Sequence, residues 1–398
     1  MLRVFEAFSG YGSQSIALRN LGIEHEVVAI SEIDKYAIKA YKAIHGPVLN
    51  LGDISKIDVN DIPQHDLFTY SFPCQDLSVA GKQKGLGEGT RSGLLYECEK
   101  VIEHCRPKYL LLENVKNLVG KKFKADFDKW LEYLEGLGYT NYWKVLNAKN
   151  YGVPQNRERV FVVSILGEHE PFEWPTPIPL DKCIADILEE QVDEKYYINK
   201  PFHLVNKGHQ AELDINGMDC IKRVYSTDKV SPALTTMQGG LREPKIICEQ
   251  RSDEGLRFFK DNVCGTIRTI NSGGDKRVIE YKGKEIELPC IGASRGRNPE
   301  NPSSRVAGEP TEQRLEINTN GTSNTITTVQ KDNYAIEESF KIRKLTPREC
   351  FRLMGMRDSD IDKIQEAGMS NTQQYKLAGN SIVVDVLEAI FKNLFKGE

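Results

Sequence analysis

The 398-residue chain has no window of the roughly 18 consecutive apolar residues that a membrane-spanning helix needs. Nor does it open on a basic stretch followed by an apolar core. Both absences lead us to expect a cytoplasmic protein with no membrane partner. Its nine cysteines include no CxxC pair and no histidine cluster beside them, which argues against structural zinc. Their odd number argues against a disulfide framework, and no metal is expected. Net positive charge is missing too, the formal balance being −4. That excludes bulk attraction to nucleic-acid phosphates but leaves room for a local basic groove, and short basic runs stand at Lys82 to Lys84, Lys121 to Lys124, Arg157 with Arg159, and Arg343 to Arg352.

What is present is ordinary for a globular protein: 39% hydrophobic and 28% charged residues. The length exceeds a usual single core, so two modules are expected. Over the first 165 or so residues, short apolar runs alternate with amphipathic ones. LRVFEAF, EVVAI, DLFTYSF, YLLLEN and RVFVVSIL read as strands, with helices over residues 14 to 21 and DKYAIKAYKAI. This alternation predicts an α/β fold with a mostly parallel sheet and helices on both faces. After the proline-rich EPFEWPTPIP the texture turns to Thr, Gly, Asn and short β-like runs, and three irregular copies of an Arg, polar turn, Leu/Ile-x-Thr pattern begin at Arg223, Arg257 and Arg314. Helical texture resumes with LTPRECFRLMG, where Thr346 is placed to cap and Pro347 to open a helix, and VVDVLEAIFKNLF closes the chain. The expected division is a first domain of residues 1–175 and 341–398, with a smaller β-rich domain of residues 176–340 inserted in it.

The chemistry gathers at strand ends. FSGYGS follows the first strand and precedes a helix, so Gly10 and Gly12 allow a tight turn and close approach of a ligand to the backbone. About 20 residues on, Glu32 ends the second strand, where a carboxylate can accept hydrogen bonds from ribose hydroxyls. Asp53 and Ile54 suit the amino group and the face of an adenine; Asp53 reads equally well as a helix cap. The loop lacks the third glycine of a dinucleotide fingerprint in register, which favours S-adenosylmethionine, a cofactor with no pyrophosphate to cradle. Glu113 ends a buried apolar strand, where burial raises a carboxyl pKa and helps it hold a proton. Cys74 follows a proline at another strand end. A thiol nucleophile, an acid and a methyl donor form a specific set.

FEAFSGYGS, SFPCQDLS, ENVKNL, PQNRERVF, RKLTPRECFRLMG and QYKLAGNSIVVDVL follow one another in an order that resembles the DNA cytosine-5 methyltransferases of bacteria and phages. The resemblance implies an S-adenosylmethionine-dependent, Rossmann-like methyltransferase domain and a β-rich target-recognition domain. It implies that Cys74 attacks C6 of a flipped-out cytosine, that Glu113 protonates or hydrogen-bonds N3, and that Arg157 and Arg159 position the base. Phe8, Gly10, Gly12, Glu32, Asp53, Ile54, Pro73, Leu94, Asn380 and Ser381 would hold the cofactor, which leaves as S-adenosylhomocysteine. Gln75 and two threonine pairs, Thr235 with Thr236 and Thr327 with Thr328, would contact DNA. Ser9 and Ser13 stand where Ala and Gly are more usual. Double-stranded DNA is the implied partner of a monomeric chain, with room for a cognate restriction endonuclease, and the rival reading is an RNA (tRNA) cytosine-5 methyltransferase of the same framework. The region between residues 201 and 340 carries 19 Lys and Arg against 20 Asp and Glu, so recognition there would rest on placed contacts.

Overall fold

The computed structural model describes residues 1–73, 94–198, 200, 202–204, 209–237, 240–251, 255–257, 290–297, 312–318, 333–336 and 340–396. The chain divides into two compact units: Met1–Lys182 with Ser231–Gly239 and Pro347–Glu398, and Cys183–Val230 with Gly240–Thr346. Ser231–Gly239, which the sequence texture groups with the inserted region, belongs to the first unit.

The first unit is built on six strands: β1 (Leu2–Ala7), β2 (His25–Ser31), β3 (Leu67–Tyr70), β4 (Tyr109–Val115), β5 (Tyr139–Asn147) and, after a two-residue strand β6 (Gln155–Asn156), β7 (Glu158–Leu166). Their order is β2-β1-β3-β4-β7-β5. The first four run parallel, while β7 runs antiparallel to both β4 and β5. All four residues of β3 are buried, as expected for a central strand covered on both faces. Strand β5, absent from the sequence reading, lies at the sheet edge with Trp143 and Lys144 exposed, so it lacks the apolar alternation that marks a half-buried strand.

Alternation along β1 sorts the helices to the two faces. Phe5 and Ala7 join Phe68, Leu110, Leu112 and Val160 in a core with residues of α3 (Leu95–Cys105) and α4 (Lys124–Gly136). Glu6 points the other way, toward α1 (Ser13–Asn20), which packs on the C-terminal helix Val384–Leu394. The helix α2 (Lys35–His45) packs on Asp358–Glu366. The expected layering, an α/β domain with a mostly parallel sheet and helices on both faces, is the observed one.

Glu6 is a fully buried carboxyl in a strand. Its Oε1 accepts from the Ser15 amide (3.1 Å) and the Ser15 hydroxyl (2.7 Å) in the first turn of α1. Gly12, the residue before that helix, offers no side-chain cap, so Glu6 satisfies from below a donor that a cap would otherwise take. Burial pushes the Glu6 carboxyl up from 4.5 to about 7. The folded state therefore keeps a proton that the unfolded chain gives up, and this contribution to stability is present below about 4.5 and lost as pH rises through about 7. The shift corresponds to roughly 3 kcal/mol at most. Glu6→Gln should flatten the fall of melting temperature with pH relative to the parent between pH 5 and 8. Parallel curves for the two proteins would remove Glu6 as a titrating group.

The second unit is β-rich. Phe202–Leu204, Ala211–Leu213 and Arg223–Val224 form an antiparallel sheet; Gly255–Arg257, Lys245–Arg251, Phe340–Lys344 and Tyr197–Ile198 form a second; Glu312–Asn318, Cys290–Arg297 and Asn333–Ile336 form a third. Ala211, Leu213, Val224, Ile247 and Ile342 make its buried cluster. Among the described residues of the chain, no helix is long and apolar enough to cross a membrane.

Candidate active site

Parallel strands deliver their carboxyl ends to one edge of the sheet, and strand order reverses where β3 lies on the opposite side of β1 from β2. Crevices at such reversals are where open α/β sheets bind ligands. The loop leaving β1 begins in the left-handed region at Phe8 (φ 55°) and passes through it again at Gly10 (φ 58°) and Gly12 (φ 82°). Gly12 has no alternative: a Cβ there would stand 2.5 Å from His45 Nε2 and 2.6 Å from a Tyr41 ring carbon.

The loop is tied to the end of β2 by one carboxylate. Glu32 Oε2 accepts from the Gly10 amide (3.0 Å), and its Oε1 accepts from the amides of Ile33 (2.9 Å) and Asp34 (2.8 Å). Burial pushes the Glu32 carboxyl up, while these amides pull it down. Asp53 caps the short helix Ile54–Lys56, its Oδ1 accepting from the Ser55 hydroxyl (2.8 Å) and amide (3.2 Å). Ile54 is buried, and half-buried Phe8 and Leu94 pack on the same cluster. The structure thus places Phe8, Ile54 and Leu94 on one hydrophobic core and bonds Gly10 to Glu32.

At the end of β3, the Phe72 carbonyl accepts from Asn114 Nδ2 (3.1 Å), which fixes the backbone entering Pro73. The tie is one that sequence reading missed, although Asn114 stands inside the quoted ENV motif. Cys74 and Gln75 lie outside the described residues, as do Thr327 and Thr328.

Because β7 runs antiparallel to β4, it begins at the same edge, and its register sets Arg159 opposite Val115, two residues from Glu113 and on the same face. Arg159 Nε lies 3.2 Å from Glu113 Oε1. Burial pushes the Glu113 carboxyl above the usual range, opposed by Arg159, by Arg157 and by a hydrogen bond from Ser71. This is a carboxyl suited to carrying a proton and held in place while it does so.

Arg157 behaves differently from Arg159. It is buried and donates to three backbone carbonyls, those of Leu234 (Nη1, 3.0 Å), Gly379 (Nη2, 3.1 Å) and Ser381 (Nη2, 2.7 Å). Ser381 itself donates its hydroxyl to Leu377 O (2.6 Å), and Asn380 is exposed at the end of the helix Asn371–Asn380. The segment carrying Thr235 and Thr236 is strapped to the same place. Ser231–Pro232 pairs in parallel with β6, and the Leu234 amide donates to Gln155 Oε1 (3.0 Å), whose Nε2 donates to Leu353 O (2.6 Å). Leu234 and Met237 are buried anchors; Thr235 between them is exposed and Thr236 half-buried. Gln155 stands in the quoted PQNRERVF segment as the Gln of its Gln-x-Arg-x-Arg element, without a role assigned from sequence; Gly379, in the quoted LAGNS, was not singled out.

A glycine loop on an acidic strand end, in a mostly parallel sheet with an antiparallel β7, defines a methyltransferase of the Rossmann-like class. The family model for C-5 cytosine-specific DNA methylase matches residues 2–396. A type II methyltransferase, M2.ScrFI, of Lactococcus lactis subsp. cremoris is 36% identical over all of both chains. An orphan methyltransferase, M.SPBetaI, of Bacillus phage SPbeta is 34% identical over 99% of this chain and 97% of its own. The solved structure of the S. pombe Dnmt2 methyltransferase matches in fold over 100% of this chain and 99% of its own, with a TM-score of 0.59 at 19% identity. The chain belongs to the C-5 cytosine-specific DNA methylase family and is a DNA cytosine-5 methyltransferase.

Proposed function

We propose that the chain methylates a cytosine turned out of duplex DNA, with S-adenosylmethionine as donor, Cys74 as nucleophile, Glu113 as the group that holds a proton for N3, and Arg159 as the cation that orients Glu113. The observation that carries this reading is the ion pair of buried Glu113 with half-buried Arg159 at the carboxyl edge of the sheet, one strand from the segment that leads into Pro73.

The first loop fits the cofactor. Its backbone is bent through the left-handed region at Gly10 and Gly12 with open space beside Gly10, and the buried Ser9 hydroxyl in it has no hydrogen-bond partner among the described residues. Glu32 would receive the ribose; Phe8, Ile54, Pro73 and Leu94 would pack on the remainder, with Asp53, Asn380 and Ser381 at its margins. When bound, S-adenosylmethionine supplies an electrophilic methyl group on a sulfonium and departs as S-adenosylhomocysteine.

The chain's own residues make cytosine able to take that methyl. C5 in the aromatic ring is a poor nucleophile; the Cys74 thiolate adds to C6 while Glu113 supplies a proton to N3, and electron density moves to C5. Covalent addition of this kind divides one difficult step into easier ones. After methylation, loss of the C5 proton to a base breaks the bond from Cys74 to C6 and restores the thiolate, while N3 returns its proton to the Glu113 carboxylate. None of these atoms is reachable in a stacked duplex, so the base has to leave the helix at a cost of a few kcal/mol.

Residues 176–340 and the Thr235–Thr236 step are assigned to target reading, with Gln75 as a further DNA contact. Exposed Thr235 between two buried anchors supports this, since fixed backbone presents a small polar side chain outward. Each good base contact contributes about 1 to 3 kcal/mol of discrimination. Base-resolution mapping of 5-methylcytosine in DNA from cells expressing the protein tests activity and target together. Replacing Thr235 and Thr236 by Ala, or Thr327 and Thr328 by Ala, should relax the mapped site at one locus while cofactor affinity holds. Parental targets at parental efficiency in both double variants would end this assignment.

A further inference from the structure

The Arg157 guanidinium joins segments remote in sequence within one unit: Leu234 lies 77 residues away, Gly379 222 and Ser381 224. The two carbonyls held by Nη2 flank Asn380, assigned above to the cofactor, and the carbonyl held by Nη1 immediately precedes Thr235 and Thr236, assigned to DNA. A second contact joins the same segments without Arg157. Gly379 lies so close to the Thr235–Thr236 peptide that a Cβ on it would stand 1.9 Å from Thr235 O and 3.0 Å from Thr236 N.

We propose that Arg157 is a positioning residue that couples the cofactor turn Gly379–Ser381 to the DNA-facing segment 231–237, so that filling the cofactor site orders the segment that meets DNA. The proposal rests on the cofactor assignment made above. A guanidinium is a planar fork with donors in fixed directions, so it cannot follow one carbonyl without moving relative to the others. Lysine at this position would keep the charge and lose the fork. Coupling of this kind is reciprocal, and DNA would tighten the cofactor by the same factor that the cofactor tightens DNA.

Hydrogen exchange on the full chain, with and without S-adenosylhomocysteine, tests it. In the parent protein the ligand should slow exchange at residues 10–12 and 32–34 and also across 231–237. In Arg157→Lys the slowing at residues 10–12 should persist while that at 231–237 disappears. Gly379→Ala, which displaces the Thr235 carbonyl and leaves the arginine intact, should uncouple the same segment. In steady-state assays the Michaelis constants for S-adenosylmethionine and for unmethylated plasmid DNA should rise together in both variants, by about tenfold within the usual range of site coupling, with kcat changed less. Slowing at residues 10–12 with none at 231–237 in the parent overturns the proposal, and this comparison decides even if a variant fails to fold. Loss of kcat alone in Arg157→Lys, with exchange at 231–237 still responding to ligand, also overturns it and makes Arg157 a base-contacting residue. If the ligand slows nothing anywhere, the cofactor assignment fails first and the coupling falls with it.

Discussion

Cys74→Ala is expected to abolish methyl transfer while largely sparing DNA binding. The cleanest measurement uses duplex DNA with 5-fluorocytosine at the target. Fluorine cannot leave C5 as a proton does, so the parent protein should stay attached through the bond from Cys74 to C6, in a complex that survives denaturing electrophoresis. The alanine variant has no sulfur to form that bond and should give no such band. The effect is large because the thiolate is the only proposed means of making C5 nucleophilic. An unperturbed thiol, with a pKa of about 8.5, is mostly protonated at neutral pH, so the site has to favour its ionised form. Full methylation by Cys74→Ala would remove the covalent route altogether.

The second large effect belongs to Glu113. Glu113→Gln keeps the shape of the side chain and leaves an oxygen for Arg159, and its amide can still donate a hydrogen bond to N3, but it cannot hand over a proton. The rate of methyl transfer should fall by about 10²- to 10⁴-fold, the usual contribution of a positioned acid. The pH profile carries further information. Burial pushes the Glu113 pKa up despite Arg159, so the active, protonated form is populated further toward neutral pH than for an ordinary carboxyl. Activity limited by this proton should decline as pH rises through the raised pKa. In Glu113→Gln that alkaline decline should vanish along with most of the rate. An unchanged profile at a parental rate would show that N3 gains its proton elsewhere.

Much of this site was legible because its residues sit where local pattern and chemistry coincide. FSGYGS could be placed on a strand-to-helix turn, and YLLLEN identifies both a buried strand and the carboxylate near its end. The Asp53 cap was readable from residue type as well. Other features depend on distance rather than pattern. Glu6 in the run FEAF looks like an interruption of an apolar strand, and nothing nearby indicates that Ser15 will meet it on the far face. For Arg157 the resemblance carried by PQNRERVF implied a place beside the target base, and no local pattern added its backbone partners. Its hydrogen bonds to Leu234, Gly379 and Ser381 come from chain crossings that no local window contains. The return of Ser231–Gly239 to the first unit was hidden in the same way, since Thr, Gly and Pro make it read as part of the β-rich stretch on either side.

That return alters what exchanging parts between two such enzymes would involve. A graft spanning residues 183 to 346 looks like one cassette, but its nine-residue middle is a seam of the recipient, pairing with Gln155–Asn156 and packing on Gly379. A donor cassette whose seam differs from SPALTTMQG would bring its own anchors to a socket shaped for Leu234 and Met237. Chimeras should therefore be made with two inserts, 183–230 and 240–346, and the recipient's own nine residues left between them.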